Sequence, residues 1–542
     1  MAGEKCDILI VGGGTGGVAA AMMACDLGHH VILTEETDWV GGQLTSQIVP
    51  PDEHPWIEQF GCTHRYRTYR NRVRQYYSDH RRLTAATKKL VEFNPGGGWV
   101  SRLCHEPKVG HAVLESMLLP YVRSGHLTIR LRLKPHSAEV TGDEVRSVRF
   151  VDLTTGGFVQ IESTIFIDAT ELGDLLPMSG TEYVVGAESK AETQEPNAVD
   201  GPTEPDNVQG ITWCFALGYD ENGDHRIAKP EQYDKWKDWG PDFWPGPLLG
   251  FQILNPHTLE VRELPLFGKD PSDWYSLFRY RQVVRPEIYE NPDQYRPVTI
   301  ANWPQNDYFE ATITDVDPLP SGDHIPDGFD VPGAMGPVSA SRLYDAKQLS
   351  LSVVYWLQNH APRHDGQPGA YPGVFMDGGI SDTSDGFAKY PYIRESRRIV
   401  AQYTVKEQDV AAYTNPNMDR APSFDDSVGI GAYRIDLHPS TNGKNTIDTS
   451  TLPLEIPARS LIPVRMRNLI PACKNIGTTH ITNGCYRLHP VEWNIGEAAG
   501  AMASLCVSHG EPVQAIVTKI EELQALLTSQ GIEIRWPKLR AL

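Results

Sequence analysis

Asp7-Ile8-Leu9-Ile10-Val11-Gly12-Gly13-Gly14-Thr15-Gly16-Gly17-Val18-Ala19-Ala20-Ala21-Met22-Met23-Ala24, followed by Val31-Ile32-Leu33-Thr34-Glu35, decides the fold. An apolar run turns through glycines into small and apolar residues. A second apolar run then ends in an acid. This order predicts strand, tight turn, helix and strand, the dinucleotide-binding βαβ unit. Gly12 makes the turn, Gly14 admits a pyrophosphate close to the backbone, and Gly17 lets the helix lie against the sheet. The helix N-terminus offers free N–H groups to phosphates, which brings Thr15 and Gly16 to the cofactor as well. Glu35 stands where an acid accepts hydrogen bonds from ribose hydroxyls, with Glu36 beside it.

The next residues choose between dinucleotides. Glu36-Thr37-Asp38-Trp39-Val40-Gly41-Gly42-Gln43-Leu44-Thr45 resembles the opening of FAD-dependent oxidoreductases of the glutathione-reductase-like type. The resemblance implies a Gly-Gly turn packed beside the FAD pyrophosphate. It therefore implies FAD rather than NAD, with Gly42 and Gln43 among the cofactor residues.

Composition sets the outer limits. A chain of 542 residues can bury more than one core. Its net charge of −20 disfavours nucleic acid or an anionic membrane as partner, yet a local arginine cluster can still take an anionic substrate. No apolar stretch approaches the ~20 residues of a spanning helix. Met1 to Asp7 leads into the first strand without a leader-like pattern, so a cytoplasmic protein is expected. Eight scattered cysteines form no CxxC pair, which argues against a thiol–disulfide reductase and against a metal site.

Outward from the opening unit, residues 46–110 read as a helical insertion. From Cys62 to Arg82 it carries seven arginines, read mainly as a solvated helix face. His64 and Arg65 are its candidates for facing a polar substrate. Leu127 to Ile167 reads as short strands, a β-meander followed by a return strand. That strand ends in Ile167-Asp168-Ala169-Thr170-Glu171. The resemblance implies that Ala169 and Thr170 sit against the FAD phosphate and ribose. Glu171 departs from the pattern, because glycine is usual there.

Residues 181–457 are rich in prolines and aromatics and lack βαβ alternation. They read as a mixed α+β substrate domain, where Asn306 and Tyr308 are candidate substrate-binding residues. Arg394-Glu395-Ser396-Arg397-Arg398 reads as a buried ion-pair network. With the landmarks above and the closing segment, it resembles the bacterial FAD-dependent oxidoreductase family loosely called xanthan-lyase-like.

The closing strand and helix fall in residues 458–510, and 511–542 form a helical tail. The fold class is thus α/β: residues 1–180 and 458–510 build a Rossmann-type FAD-binding domain, a parallel sheet with an inserted β-meander. The resemblance implies that the helix opening at Pro490-Val491-Glu492 points its N-terminus at the flavin. Its dipole would stabilise negative charge there. His489 and His480 are the candidate general bases, and Arg487 and Asn483 candidates for binding substrate or steadying flavin charge.

The expected activity is hydride removal from an alcohol or amine carbon of a polar small molecule. An NADPH-using monooxygenase and a saccharide lyase or hydrolase with a structural nucleotide are the rival readings. The missing second nucleotide-binding unit argues against a dedicated NAD(P)H domain. Homo-oligomerisation is left open.

Overall fold

The computed structural model describes residues 4–255, 258–268, 276–314, 337–442 and 446–537. Strand β1 (Glu4–Val11) runs into helix α1 (Thr15–Asp26), which returns through β2 (Val31–Glu35). Ile8, Leu9, Ile10 and Val11 are all fully buried, so β1 is covered on both faces, as a central parallel strand must be. The strand stops at Gly12, whose φ of +96° only glycine adopts without strain.

The main sheet has seven strands. After α2 (His64–His80) and α3 (Pro107–Ser124) come β3 (Leu127–Leu131), β4 (Leu133–Thr141), β5 (Glu144–Asp152) and β6 (Phe158–Asp168). Their order is β3-β2-β1-β6-β5-β4. β1 is parallel to β2 with Ile8 opposite Val31, and parallel to β6 with Ile8 opposite Ile165. β4, β5 and β6 pair antiparallel, which is the expected meander.

One edge of β6 serves two partners. Its first half, Phe158 to Glu162, pairs with β5, and its last residues, Phe166 to Asp168, pair in parallel with a strand from far along the chain. A second sheet, four strands and antiparallel, gathers β7 (Phe215–Tyr219), β8 (Gln282–Val284), β9 (Val298–Ala301) and β10 (Val374–Met376) in the order β8-β9-β7-β10. Helix α4 (Pro337–Asn359) belongs to this region. The apolar core is continuous from the first sheet into the second, with Ile8 and Val31 in the same cluster as Phe215 and Ile300.

The distant strand is β11 (Leu469–Pro471), followed by α5 (His480–Tyr486) and α6 (His489–His509). α6 lies against α1 through residues without bulk. A Cβ on Gly496 would stand 2.1 Å from the Gly16 carbonyl oxygen, and one on Gly500 2.6 Å from that of Ala20. A Cβ on Gly16 would meet the Ala472 carbonyl oxygen at 1.7 Å, so the same turn also seats the end of β11.

Helix α2 corrects the expectation of a solvated arginine face. Arg65, Arg70 and Arg74 are buried and ion-paired: Arg70 with Glu53 and Glu58, and Arg74 with Glu58 at 2.6 Å. The acids come from the loop just before the helix, which composition cannot reveal. All eight cysteines are free and buried, and burial pushes Cys25 and Cys62 up to about 12. Among the described residues no helix is long and apolar enough to cross a membrane.

Candidate active site

The turns after β1, β2 and β6 meet at one narrow cleft. Gly12, Gly14, Glu35, Glu36, Gly42, Ala169 and Thr170 all line it. Seven of the expected cofactor residues therefore converge from three separated stretches. Glu35 is held by backbone donors: Gly13 N–H gives to Oε2 at 2.8 Å and Thr37 N–H to Oε1 at 2.9 Å. Burial, with Glu36 beside it, nevertheless raises the Glu35 pKa to about 7. Burial also raises that of Glu36, against the pull of Lys134 at 2.8 Å.

Gly41 and Gly42 take left-handed backbone, φ +112° and +54°. A Cβ on Gly42 would lie 2.8 Å from Gly14 Cα, so the second glycine turn packs directly on the first. Thr15 fastens them, its hydroxyl donating to the Gly41 carbonyl at 3.0 Å. Thr170 is similarly internal: its hydroxyl donates to Asp168 at 2.7 Å and accepts from Asp174 N–H. These two side chains shape the cradle, and their hydroxyls serve protein partners.

At the N-terminus of α1, Gly16 N–H donates to Glu492 Oε1 at 3.3 Å. Gln43 Nε2 reaches Glu492 Oε2 at 2.5 Å and the Arg487 carbonyl at 3.0 Å. Lys474 pairs with Glu171 and stands 3.5 Å from Glu492 and 3.4 Å from Cys473 Sγ. It thus supplies the cation among three potential metal ligands. Pro490 and Val491 are buried in the first turn of α6, with Val491 against Gly431.

The cradle fits a dinucleotide by what it leaves unpartnered. Both side-chain amide atoms of Gln47, Oε1 of Gln43 and Oε1 of Glu171 are buried without a hydrogen bond. Such atoms cost free energy unless a ligand or water meets them. The profile of a family described as FAD dependent oxidoreductase matches residues 7–527. The chain belongs to this FAD-dependent oxidoreductase family.

FAD is accordingly the cofactor of this chain. The curated relatives match over short stretches. An N,N-dimethylglycine/sarcosine dehydrogenase of Chromohalobacter salexigens is 49% identical over 9% of this chain and 7% of its own. A bilirubin reductase of Mediterraneibacter gnavus is 32% identical over 19% of this chain and 15% of its own. The alignments thus span well under a fifth of either relative. Among solved structures, a myxobacterial chondrochloren halogenase aligns at TM-score 0.22 and 18% identity, covering 42% of this chain and 46% of its own. L-proline dehydrogenase from P. horikoshii aligns at 0.18 and 14%, covering 34% and 25%.

A second polar cluster adjoins the FAD cradle at the start of α6. His489 is fully buried, and Asp52 N–H donates to its Nδ1 at 3.0 Å. That donor favours the tautomer with the ring proton on Nε2, which is buried without a hydrogen bond, while the Val49 carbonyl beside the ring favours a ring proton as well. Burial, with Arg281, Lys474 and Arg487 nearby, drives its pKa well below the imidazole range. This corrects the general-base expectation. With Nδ1 occupied by a backbone donor and Nε2 protonated, His489 presents a neutral donor.

His480 is corrected for a different reason. Its Nδ1 lies 2.9 Å from Glu395, which also takes Arg398 at 2.6 Å. Burial opposes both charges. Even so, the pairing raises the His480 pKa and holds Glu395 down at about 2. Its Nδ1 is thus committed to a carboxylate that Arg398 shares.

Arg487 donates to the Tyr392 hydroxyl at 2.9 Å and to Asp436, and its Nε is unpartnered. Asn483 lies behind it, donating to the Arg394 carbonyl at 2.9 Å. The other expected substrate residues lie elsewhere. His64 is exposed beside Gly531. Arg65 is spent on Asp26 and Glu497, joining the end of α1, the start of α2 and the interior of α6. The Asn306 amide is filled by Trp303 N–H and the Ala301 carbonyl, a local turn. Tyr308 packs on Trp236.

Sequence reasoning did not single out Ser46, Gln47, Leu133, Pro135 and Tyr390 in the cradle, nor Asp52, Arg281 and Tyr392 in the second cluster. Leu133 and Pro135 sit at the start of β4, and nothing in a meander strand marks such a role. Asp52 lies in a loop within residues 46–110, where nothing in the local sequence marks it.

Proposed function

We propose that this chain oxidises a polar small molecule at a carbon bearing an amine or alcohol. The observation that carries the reading is the second cluster. A buried carboxylate, a neutral imidazole donor and two arginines adjoin the FAD cradle across the first turn of α6. Gln43 bridges the two, holding Glu492 on one side and the Arg487 backbone on the other. The short match to a dehydrogenase of N,N-dimethylglycine and sarcosine supports an amine over an alcohol.

Bound FAD supplies a two-electron acceptor for the hydride that leaves the carbon. Glu35 and the glycines at 12, 14 and 42 would hold it. The chain itself handles the proton. Asp52 is the group suited to that work, because its Oδ1 is buried without a partner. Burial raises its pKa even against Arg281 and Arg487. It can therefore accept a proton from a substrate N–H or O–H at Oδ1. His489 Nε2–H orients an acceptor atom of the substrate or cofactor.

The test is anaerobic addition of amines and alcohols to the FAD-loaded protein. Bleaching of the flavin band by one of them alone supports the oxidation. Bleaching only by NADPH would replace it with the monooxygenase reading.

A further inference from the structure

We propose that Arg281 and Arg487 form a carboxylate subsite, so that the substrate is an amino or hydroxy acid bound by its acid group beside Asp52. The inference rests on the oxidation reading above and narrows its substrate class.

Arg281 comes from the second sheet region, immediately before β8, and Arg487 from the junction of α5 and α6. Two parts of the chain thus bring buried guanidiniums to one place in a protein of net charge −20. Each lies within electrostatic range of Asp52, Tyr392 and Tyr433. A buried guanidinium needs paired charge and filled donors.

Arg281 has neither in full. Its carboxylate contact is Asp52 Oδ2 at 3.5 Å, the outer limit of a hydrogen bond, and its Nε is buried without a partner. The Nε of Arg487 is orphaned as well. Tyr392 accepts from Arg487, which leaves its own hydroxyl proton free to donate. These donors match a carboxylate, which takes several N–H and O–H donors and prefers guanidinium partners.

Asp52 completes the recognition. A substrate acid on the arginines relieves the weak Arg281–Asp52 contact. It leaves the Asp52 carboxylate for a proton-bearing nitrogen or hydroxyl of the same molecule. Arg394 is not part of the subsite. Its Nε is unpartnered too, but its terminal nitrogens are engaged by Asp307 at 3.0 Å, by Asn302 and by the Gly210 carbonyl.

The experiment titrates FAD-loaded full-length protein with N,N-dimethylglycine and with glycolate, each against its methyl ester, which lacks the carboxylate charge. Melting temperature and flavin absorbance are followed. At least one acid should bind, and its ester should bind at least ~30-fold more weakly, the effect of removing one partner from a buried charge pair. Arg281→Met should abolish that preference while retaining FAD. Arg281→Lys, which keeps the charge and loses the fork, covers the case in which the methionine variant fails to fold, and should weaken the preference.

Esters binding as tightly as their acids, neither acid binding, or an undiminished preference in a folded Arg281 variant would each overturn the subsite. The two readings fail separately. An uncharged amine that bleaches the flavin with no preference for acids sinks the subsite and leaves the oxidation. Acid preference without bleaching by any amine or alcohol does the reverse.

Discussion

Single residues at this site are set by which proton they hold. His489 has the residue type of a base, yet a backbone N–H on Nδ1 makes it a donor. His489→Phe should cut kcat/KM by about 10–100-fold, matching the 1–3 kcal/mol of one lost buried donor. His489→Gln, which restores an N–H, should recover part of it. Because its pKa lies well below 6.5, the pH profile of kcat/KM between 5 and 8 should be the same in wild type and His489→Gln. A limb near pH 6.5 lost with the histidine would restore the base. Glu35 titrates in the opposite sense. Its pKa in the folded, cofactor-free protein is raised from 4.5 to about 7 by burial and by Glu36. The folded state then binds the proton more tightly than the unfolded state. The associated stability is present below pH 4.5 and lost as pH rises through 7, an effect of about 3 kcal/mol. Glu35→Gln removes the titration but strands one of the two backbone donors at every pH. Melting curves of the cofactor-free proteins should show the variant gaining on wild type from pH 4.5 to 8. A constant difference would mean that Glu35 keeps an ordinary pKa.

At the scale of elements, legibility followed the length of the periodic signal. β1, α1 and β2 were plain, because glycine spacing, apolar runs and the terminal acid all point one way. The meander was plain from its turns. The arginines of α2 were misread, because ion pairing with an adjacent loop leaves no periodic trace. Asn306 and Tyr308 were misread because a local turn has the same polar and aromatic composition as a pocket wall. The α1–α6 seam gives the element-scale prediction. At Gly496 an added Cβ would stand 2.1 Å from the Gly16 backbone, which no side-chain movement can relieve. Gly496→Ala should push α6 away from α1, at a cost of about 1–3 kcal/mol or more. It should also lower FAD affinity, because Glu492 and Gly16 N–H separate with the helices. Denaturant melts and flavin release on dilution read the two effects. Gly510→Ala, with open space around its Cβ position, tests backbone strain alone at the C-cap and should leave FAD affinity unchanged.

Over the whole molecule, the cofactor cradle is assembled from turns near residues 12–17, 35–47 and 168–171, with β4 and the start of α6 beside them. Family-like motifs made the first three and the last of these readable. The second cluster was not readable as a unit, because Asp52, Arg281, Tyr392 and Arg487 are brought together only by tertiary packing and share no local spacing. A cradle built from such distant segments makes FAD a ligature across the fold. Binding to the folded chain alone raises stability as RT ln(1 + [L]/Kd), about 2.7 kcal/mol at one hundred times Kd. Melting temperature should therefore rise with the logarithm of free FAD and fall when the cofactor is removed. The cleft also dictates which part of the ligand matters. Glu35, Glu36, Leu133 and Pro135 lie in the same cleft as the glycine turns, and on the reading proposed above the adenosine and pyrophosphate portions would carry much of the contact. ADP should stabilise the cofactor-free protein measurably, and FMN, which lacks the adenosine, should fall far short of FAD at equal concentration. Equal stabilisation by FMN and FAD would move the principal cofactor contacts out of this cleft and toward the start of α6.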